Sequence, residues 1–429
     1  MLNPLAKELN DTLKGSVVDA LMSDMGRRLY FPNGIISQGA EAAKDAHLAN
    51  GTIGMAVSEG TPIELDSYKK QMPNLGPRET VAYAKTAGNP DLRKLWKEKI
   101  IEKNPSLKDK NFSLPILVSG LTAVLSYVSD IFVDVDKPLI AADPCWDNYE
   151  LIACARRNAE FHQFKCFDEN GFNLKSLENT LKADAEKYGS VRVLLNFPQN
   201  PSGYSPTKAE AKEICSIVKK LAENGTKVLV ISDDAYFGLN YEDDIEPQSL
   251  FAYFADMHEN VLAIKADGPT KEDFAWGFRA GFITFASKGL SDEQYTALQV
   301  KFMSAIRSSV SCSSTPSQSL VLKALQDPAH NAQKIELRAM LKRRYDLVRK
   351  FVNTHISSKL TPLPFNSGYF MSFAVNGVNA DDLRKKLLAD KGIGVIAIDS
   401  KTLRVAFSSI DEYKIEEVYT AIYEVAEAL

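Results

Sequence analysis

Residues 191–232 read VRVLLNFPQNPSGYSPTKAEAKEICSIVKKLAENGTKVLVIS and decide the fold. The short runs 191–196 and 227–232 are nearly all apolar, which is typical of strands buried on both faces of a parallel sheet. The segment 207–224 between them has helical periodicity and ends at Gly225, a residue suited to a left-handed helix cap. Short apolar strands separated by helices predict an α/β domain.

The same pattern extends on both sides of this stretch. Further strands are predicted over residues 115–118, 138–142, 261–264 and 281–285, with a helix over 121–133. After residue 317 the pattern changes to a long, charged helix over 327–357, strands over 368–373 and 403–407, a helix over 380–389 and a C-terminal helix. We therefore expect a mostly parallel sheet between helices, followed by a smaller α+β domain.

Composition narrows the class of protein. The chain has 429 residues, 45% of them hydrophobic and 25% charged, with a formal net charge of −4. These values are ordinary for a soluble globular protein of two or three domains, and they lack the basic excess of nucleic-acid binders. No run of about 18 apolar residues predicts a membrane span.

The N-terminus, cysteines and histidines add three expectations. The first 30 residues are predicted to form an amphipathic helix, because Leu5, Leu9, Leu13, Val17 and Leu21 recur every four positions, and they lack the apolar core of a signal peptide. Five cysteines without a CxxC pair predict reduced thiols in a cytoplasmic protein. Five histidines without metal-ligand spacing predict no metal site.

Residues able to do chemistry follow the predicted strands. These segments are SGLT (119–122), DPCWDNY (143–149), NFPQNPSG (196–203), DDAY (233–236), TK (270–271) and an arginine at 279. In open α/β sheets, ligands bind beyond the carboxyl ends of the strands. Each segment alone has an ordinary explanation as a turn, a cap or packing, but their order along the chain points to one site.

The site that this order predicts is one for pyridoxal 5'-phosphate. A lysine forms a Schiff base with the cofactor aldehyde, and a carboxylate keeps the pyridine nitrogen protonated so that the ring serves as an electron sink. An aromatic side chain stacks on the ring, while amide and phenol donors hold the ring oxygen. A helix N-terminus and an arginine hold the phosphate.

With these motifs the chain resembles, over nearly its whole length, the fold-type I, class I/II aminotransferases of the aspartate aminotransferase superfamily. The resemblance implies a seven-stranded sheet in the large domain and a homodimer with shared active sites. It also implies an N-terminal arm with part of the small domain over 1–60, a large cofactor-binding domain over 61–325 and a small domain over 326–429. The implied reaction moves an amino group from an L-amino acid to a 2-oxo acid, with aspartate or glutamate and 2-oxoglutarate as one candidate set.

The resemblance also implies roles for residues that match the family's motifs. Lys271 is the Schiff-base lysine, and it moves the proton between the reacting carbons. Asp233 pairs with the pyridinium nitrogen, and Trp146 stacks on the ring. Asn200 and Tyr236 bind the phenolic oxygen.

The phosphate and substrate contacts follow in the same way. The matching phosphate ligands are Gly120, Leu121, Thr122, Thr270, Arg279 and, reaching the neighbouring subunit, Tyr83. The matching substrate contacts are Arg404 for the α-carboxylate, Asn200, and the segment of Ile53 and Gly54 that closes over the substrate. Arg307 matches an arginine that crosses the dimer interface to a distal carboxylate, and a surface arginine at a helix end is the alternative reading.

Two departures from the family pattern stand out. The family has a serine three residues before the lysine, where this chain has Gly268, so the phosphate would lose a bond or use another donor, such as Lys265 or a water. The family's Asn-Pro-x-Asn-Pro-Thr-Gly is also altered here, with Phe197 and Ser202 at two of its positions.

Three alternative functions remain open from the sequence. A β-eliminating carbon–sulfur lyase or a decarboxylase of the same fold would share the cofactor residues. A non-catalytic cofactor-binding module of a regulator is disfavoured, because no DNA-binding segment is seen at either end. A nicotinamide-binding protein is disfavoured because no G-x-G-x-x-G follows a predicted strand.

Overall fold

The centre of the protein is a seven-stranded sheet, seen in a computed structural model that describes residues 2–14, 28, 35–52, 54–169 and 171–429. From edge to edge its strands are Ile116–Val118, Gly281–Ala286, Val261–Asp267, Lys227–Asp233, Ser190–Asn196, Leu139–Asp143 and Phe161–Lys165. Gly281–Ala286 runs antiparallel to both neighbours, and all other neighbours are parallel. The predicted α/β class with a mostly parallel sheet is confirmed.

Helices cover both faces of this sheet. The longer helices of this part of the chain are Pro90–Lys103, Leu121–Phe132, Leu174–Tyr188, Lys208–Glu223, Asp292–Arg307 and Thr315–Gln326. The shorter α-helical segments are Asp66–Lys69, Pro77–Thr80, Asn148–Glu150, Phe251–Phe254 and Pro269–Glu272. Leu121–Phe132 packs against Asp292–Arg307, and Leu174–Tyr188 packs against Lys208–Glu223.

Alternate side chains of a central strand enter two different cores. Val228 and Val230 belong to the core that also contains residues of Lys208–Glu223. Leu229 and Ile231 belong to the core that contains residues of Leu121–Phe132. Because successive side chains of a strand point to opposite faces, the same alternation decides to which face of the sheet the residues at the end of the strand point.

A smaller α+β unit follows. Its antiparallel sheet has the order Leu360–Pro362, Phe370–Val375, Thr402–Ala406 and Ile396–Ala397. Its helices are His330–Thr354, Ala380–Lys391 and Ile415–Glu427. Ala49–Asn50, near the helix Ile35–Asp45, pairs in parallel with Ile393–Gly394, so part of the N-terminal segment packs on this unit.

Most predicted elements appear within one to three residues of their expected bounds. The edge strand Phe161–Lys165 was missed, because its sequence FHQFK mixes polar and aromatic residues instead of forming an apolar run. At the N-terminus the helix spans Pro4–Leu13, and the predicted continuation through Val17 and Leu21 lies outside the described residues. Among the described residues, no helix has both the length and the apolar character needed to span a membrane.

Candidate active site

A cavity of about 210 Å³ lies where the large sheet meets the small unit. Its walls come from the carboxyl ends of strands, from the start of the helix Leu121–Phe132 and from the small sheet. The lining residues are Gly54, Leu121, Thr122, Leu125, Trp146, Tyr149, Asn196, Asn200, Asp233, Ala235, Tyr236, Thr270, Lys271, Arg279, Phe370 and Arg404. Eleven of the residues predicted for the site therefore share one pocket.

Asp233 closes the strand Lys227–Asp233 and is buried at the base of this cavity. Its Oδ2 accepts a hydrogen bond of 2.6 Å from the Tyr149 hydroxyl, and its Oδ1 accepts one of 3.2 Å from the Ala235 amide. Burial raises the pKa of Asp233, whereas Tyr149 and the charge of Lys271 act in the opposite direction. A cationic partner in the cavity would therefore stabilise the ionised carboxylate further.

Lys271 lies on the short helix Pro269–Glu272, and its Nζ is 5.0 Å from the centre of the Tyr236 ring. Burial, with a smaller contribution from Arg279, lowers the pKa of Lys271 to about 8, although Asp233 acts against this shift. The amine is therefore far more often neutral near neutral pH than an ordinary lysine. A neutral amine is the form that attacks an aldehyde or accepts a proton.

Tyr236, Asn200 and Trp146 occupy the cavity wall as predicted. Tyr236 is buried, packs edge-on against Tyr369 and Phe370, and its pKa is raised by burial. Because its pKa is raised, the Tyr236 hydroxyl remains a neutral donor over the physiological pH range. Trp146 is half-buried.

The predicted phosphate end is built on close backbone packing. Gly120, at φ 95°, precedes the helix Leu121–Phe132, and a Cβ there would lie 2.5 Å from Nη2 of Arg279. A Cβ at Gly281 would lie 2.6 Å from the carbonyl carbon of Gly120. These glycines let the exposed Arg279 lie directly against the start of the helix, where amides have no intrahelical acceptor and the macrodipole favours an anion.

Packing also explains the glycine at the position where the family has a serine. A Cβ at Gly268 would lie 2.7 Å from the carbonyl oxygen of Ala280 and 3.1 Å from Cδ1 of Leu121. A serine therefore has no room without a backbone shift. Thr270, whose Oγ1 is 3.5 Å from the same carbonyl oxygen, lines the cavity and keeps one hydroxyl at this end.

Lys265 is not the substitute donor, and that expectation was wrong. Its side chain is on the same sheet face as Ala263, opposite to Ile264 and Ala266, and it does not line the cavity. Its ammonium group is buried, pairs with the Asp234 carboxylate and lies 3.4 Å from the Asp267 carboxylate. The alternation of side chains along a strand thus separates this ionic cluster from the pocket.

Arg404 reaches the cavity from the small sheet. Its Nη1 donates to Oδ1 of Asn200 at 2.9 Å, its Nη2 donates to the Thr52 carbonyl at 3.1 Å, and its guanidinium lies 4.3 Å from the Phe370 ring centre. Its buried Nε has no hydrogen-bond partner among the described residues. Burial lowers the pKa of Arg404 to about 10. A buried guanidinium with a donor left over is suited to an anionic ligand.

Four predicted residues are not among those that line the pocket in the described part of the chain, and one of them is Gly120, whose place beside Arg279 is given above. Ile53 lies outside the described residues, although its neighbour Gly54 lines the cavity. Tyr83 is 96% exposed. Arg307 is exposed at the end of the helix Asp292–Arg307, where its Nη1 donates to Ser311 Oγ.

Five pocket residues had no predicted role, namely Leu125, Ala235 and the three whose contacts follow. Tyr149 holds Asp233, and Asn196 ties the strand ends together by donating to the Asp233 carbonyl at 2.8 Å and accepting from the Asn200 amide at 2.9 Å. Phe370 lies against Arg404. Tyr149 and Asn196 belong to the segments 143–149 and 196–203 that follow predicted strands, so their position in the sequence could have indicated them. No local sequence feature indicates Phe370.

The residues present fit pyridoxal phosphate. One end of the cavity has a helix start, a threonine and an arginine for a phosphate, and the buried carboxylate of Asp233 suits a cationic ring nitrogen. Lys271 supplies an amine of low pKa for the aldehyde. The Nε of Arg404, which has no partner in the described part of the chain, leaves a donor for a carboxylate.

Comparisons with known proteins agree with this fit. The family profile described as "Aminotransferase class I and II" matches residues 54–422. A curated relative from Bacillus subtilis (strain 168), "Probable N-acetyl-LL-diaminopimelate aminotransferase", is 27% identical over 229 residues, 53% of this chain and 51% of the relative. That match spans about half the length of the relative.

Solved structures match over more of the chain. An aminotransferase from Anaerococcus prevotii has a TM-score of 0.84 at 23% identity, covering 95% of this chain and 99% of that one. A Pyrococcus horikoshii kynurenine aminotransferase, solved in complex with PMP, has a TM-score of 0.77 at 16% identity, covering 96% and 98%.

The low pKa of Lys271 gives a first prediction. An amine-acylating reagent applied to the apoprotein should label Lys271 with a midpoint near pH 8, because only the neutral amine reacts. Mass spectrometry of the Lys271 peptide measures the labelling. Asp233→Asn should move the midpoint to lower pH and Arg279→Gln to higher pH, and a midpoint near 10.5 in the unaltered protein would contradict the structure.

The close contact at Gly268 gives a second prediction. Gly268→Ser should lower the free energy of unfolding by about 1–3 kcal/mol through overpacking, without strengthening cofactor binding. Thermal unfolding and titration of the apoprotein with pyridoxal phosphate measure both effects. Gly277→Ser is the matched control, since a Cβ there meets no atom of the described residues within 4 Å. A stable Gly268→Ser protein that binds the cofactor more tightly would show that the serine site is open.

Proposed function

Because the chain belongs to the class I and II aminotransferases, a family that depends on pyridoxal phosphate, we propose that it transfers an amino group from an L-amino acid to a 2-oxo acid. The observation that carries this proposal is that Lys271, Asp233 and Arg404 line one cavity. That cavity thus joins an amine of low pKa, a buried carboxylate and a buried guanidinium.

Each of these residues has a distinct task in this proposal. Pyridoxal phosphate, when bound, supplies an electron sink for the bonds at the substrate's α-carbon. Arg404 binds and orients the α-carboxylate of the substrate. Lys271 Nζ would remove the proton from the substrate's α-carbon and hold it as an ammonium group for its return. Asp233, held by Tyr149, keeps a negative charge at the base of the cavity.

The proposal includes a homodimer with shared sites and a cytoplasmic location. Exposed apolar side chains at Val81, Tyr83 and Val310 support an interface near Arg307. The Thr315 hydroxyl donates to the Ala82 carbonyl at 2.6 Å, so the segment of Tyr83 lies close to the one that follows Arg307. All five cysteines are free thiols, which fits a reducing compartment.

The reaction type is tested with the purified holoenzyme. A panel of L-amino acids with 2-oxoglutarate should give equimolar 2-oxo acid and glutamate, and borohydride reduction should fix the cofactor to the Lys271 peptide. Lys271→Ala should abolish both results. Release of ammonia and pyruvate without an added 2-oxo acid would instead identify a β-eliminating lyase. A label on Lys265 would refute the assignment of Lys271.

Substrate choice is tested at Arg307, for which we propose a contact from one subunit to the distal carboxylate of an acidic substrate bound by the other. Arg307→Leu should lower kcat/KM for aspartate and glutamate by about 30-fold or more, as for loss of one partner of a buried ion pair, and should spare aromatic and aliphatic donors. Arg404→Ala, the control, should weaken the binding of every substrate. Equal, small losses on all substrates with Arg307→Leu would refute the acidic-substrate contact.

A further inference from the structure

The two residues after Lys271 point away from the cavity into a buried ionic network. Glu272 Oε2 is 2.7 Å from Lys103 Nζ, and its Oε1 is 3.1 Å from Lys334 Nζ. Asp273 Oδ1 is 2.6 Å from Lys334 Nζ. Two carboxylates and two ammonium groups therefore neutralise each other's charge on the side of the Lys271 segment that faces away from the cavity.

Asp273 is the deepest member of this network, with no exposed surface. His330 Nε2 lies 3.1 Å from Asp273 Oδ1, and His330 Nδ1 lies 2.9 Å from Ser67 Oγ. Burial by itself would raise the pKa of Asp273, but Lys334 and the hydrogen bond with His330 lower it below the usual value. The carboxylate is thus held in its ionised form by groups of fixed position.

The partners of Asp273 belong to the small unit, whereas one partner of Glu272 belongs to the large one. His330 and Lys334 lie in the first two turns of the helix His330–Thr354, which leads into the small unit. Lys103 is the last residue of the helix Pro90–Lys103 in the large unit. Lys334 is therefore a charged side chain that joins the segment of Lys271 to the small unit.

A second tie runs from Lys271 itself to the small sheet. The Tyr369 hydroxyl donates to the carbonyl oxygen of Lys271 at 2.9 Å. Tyr369 immediately precedes the strand Phe370–Val375, which pairs with the strand Thr402–Ala406 that carries Arg404. The backbone of Lys271 is thus connected from two sides to the unit that positions the carboxylate-binding arginine.

We propose that Asp273 and Lys334 are positioning residues that fix the Lys271 backbone relative to the small unit and its Arg404. This inference rests on the proposed roles of Lys271 and Arg404. The substrate's carboxylate is held by one unit and its α-proton is removed by a lysine of the other. The ion pair therefore sets the position of the amine relative to that proton.

The geometry favours positioning over a simple gain in stability. Burying two charges costs desolvation energy that their attraction only offsets, so such pairs contribute orientation more reliably than net stability. A displacement of about 1 Å at a reacting group can lower a rate about 100-fold. The Lys103–Glu272 pair offers an internal comparison, because it neutralises an adjacent carboxylate without reaching the small unit.

The test compares Lys334→Met with three matched variants in the holoenzyme. Lys334→Met should lower kcat per bound cofactor by about 10- to 100-fold, with the cofactor's absorbance retained, and Lys334→Arg should restore most of it. Lys103→Met should lower kcat much less, because it removes the same charge but not the tie. Lys342→Met, which removes an exposed pair with Asp346 on the same helix, should leave kcat unchanged.

A second readout does not depend on activity. Hydrogen exchange of amides 269–275 in the apoprotein should speed up in Lys334→Met and remain unchanged in Lys342→Met. Equal losses of kcat in Lys334→Met and Lys103→Met would show that the loss comes from removing a positive charge, and would overturn the inference. Unchanged hydrogen exchange in Lys334→Met would overturn it as well. If Lys334→Met does not fold, Asp273→Asn is measured in its place, with Lys334→Arg as the conservative variant. Wild-type kcat and wild-type exchange in Asp273→Asn would overturn the inference. A lower kcat together with faster exchange in Asp273→Asn would support it.

Borohydride labelling of the unaltered holoenzyme separates this inference from the proposed function. A label away from Lys271 overturns the role of Lys271 and, with it, this inference. A label on Lys271 combined with unchanged kcat in Lys334→Met overturns the positioning role alone.

Discussion

Burial of the Lys271 amine in the same cavity as the Asp233 carboxylate is the constraint on which the site depends. A charged group taken out of water loses solvation that only a partner or a change of protonation can offset. Lys271 responds with a pKa lowered to about 8, which makes its amine available as a nucleophile and base. Asp233 is held by the Tyr149 hydroxyl and the Ala235 amide, so it can face a cation from a fixed position.

Close backbone packing builds the other end of the cavity. Gly120, Gly268 and Gly281 each lie where a Cβ would come within 3 Å of a neighbouring atom. Their contact brings the start of the helix Leu121–Phe132, the Lys271 segment and Arg279 together. With the backbone in this position, a side chain at 268 would clash with Ala280 and Leu121, so the serine expected from the resemblance has no space there.

The alternation of side chains along the central strands sorts charges into separate compartments. Asp233 points into the cavity, whereas Asp234 pairs with Lys265 on the other face of the sheet. Glu272 and Asp273 similarly turn away from Lys271 and join a network with the small unit. Adjacent residues in the chain consequently have unrelated tasks, one in binding and the other in holding the framework.

The sequence by itself determined the α/β class, six of the seven strands of the large sheet, and the chain order Asn200, Asp233, Tyr236, Lys271 and Arg279, because apolar periodicity and motif spacing are local properties of the chain. It gave no prediction for the helices Pro90–Lys103, Leu174–Tyr188, Asp292–Arg307 and Thr315–Gln326. It missed the strand Phe161–Lys165, whose polar composition follows from its place at the edge of the sheet. Only the tertiary structure decided that Lys265 is excluded from the cavity, that Tyr149 holds Asp233 and that Phe370 lies against Arg404. These facts depend on which side chains meet across strands and units far apart in the chain, and such contacts leave no local pattern to read.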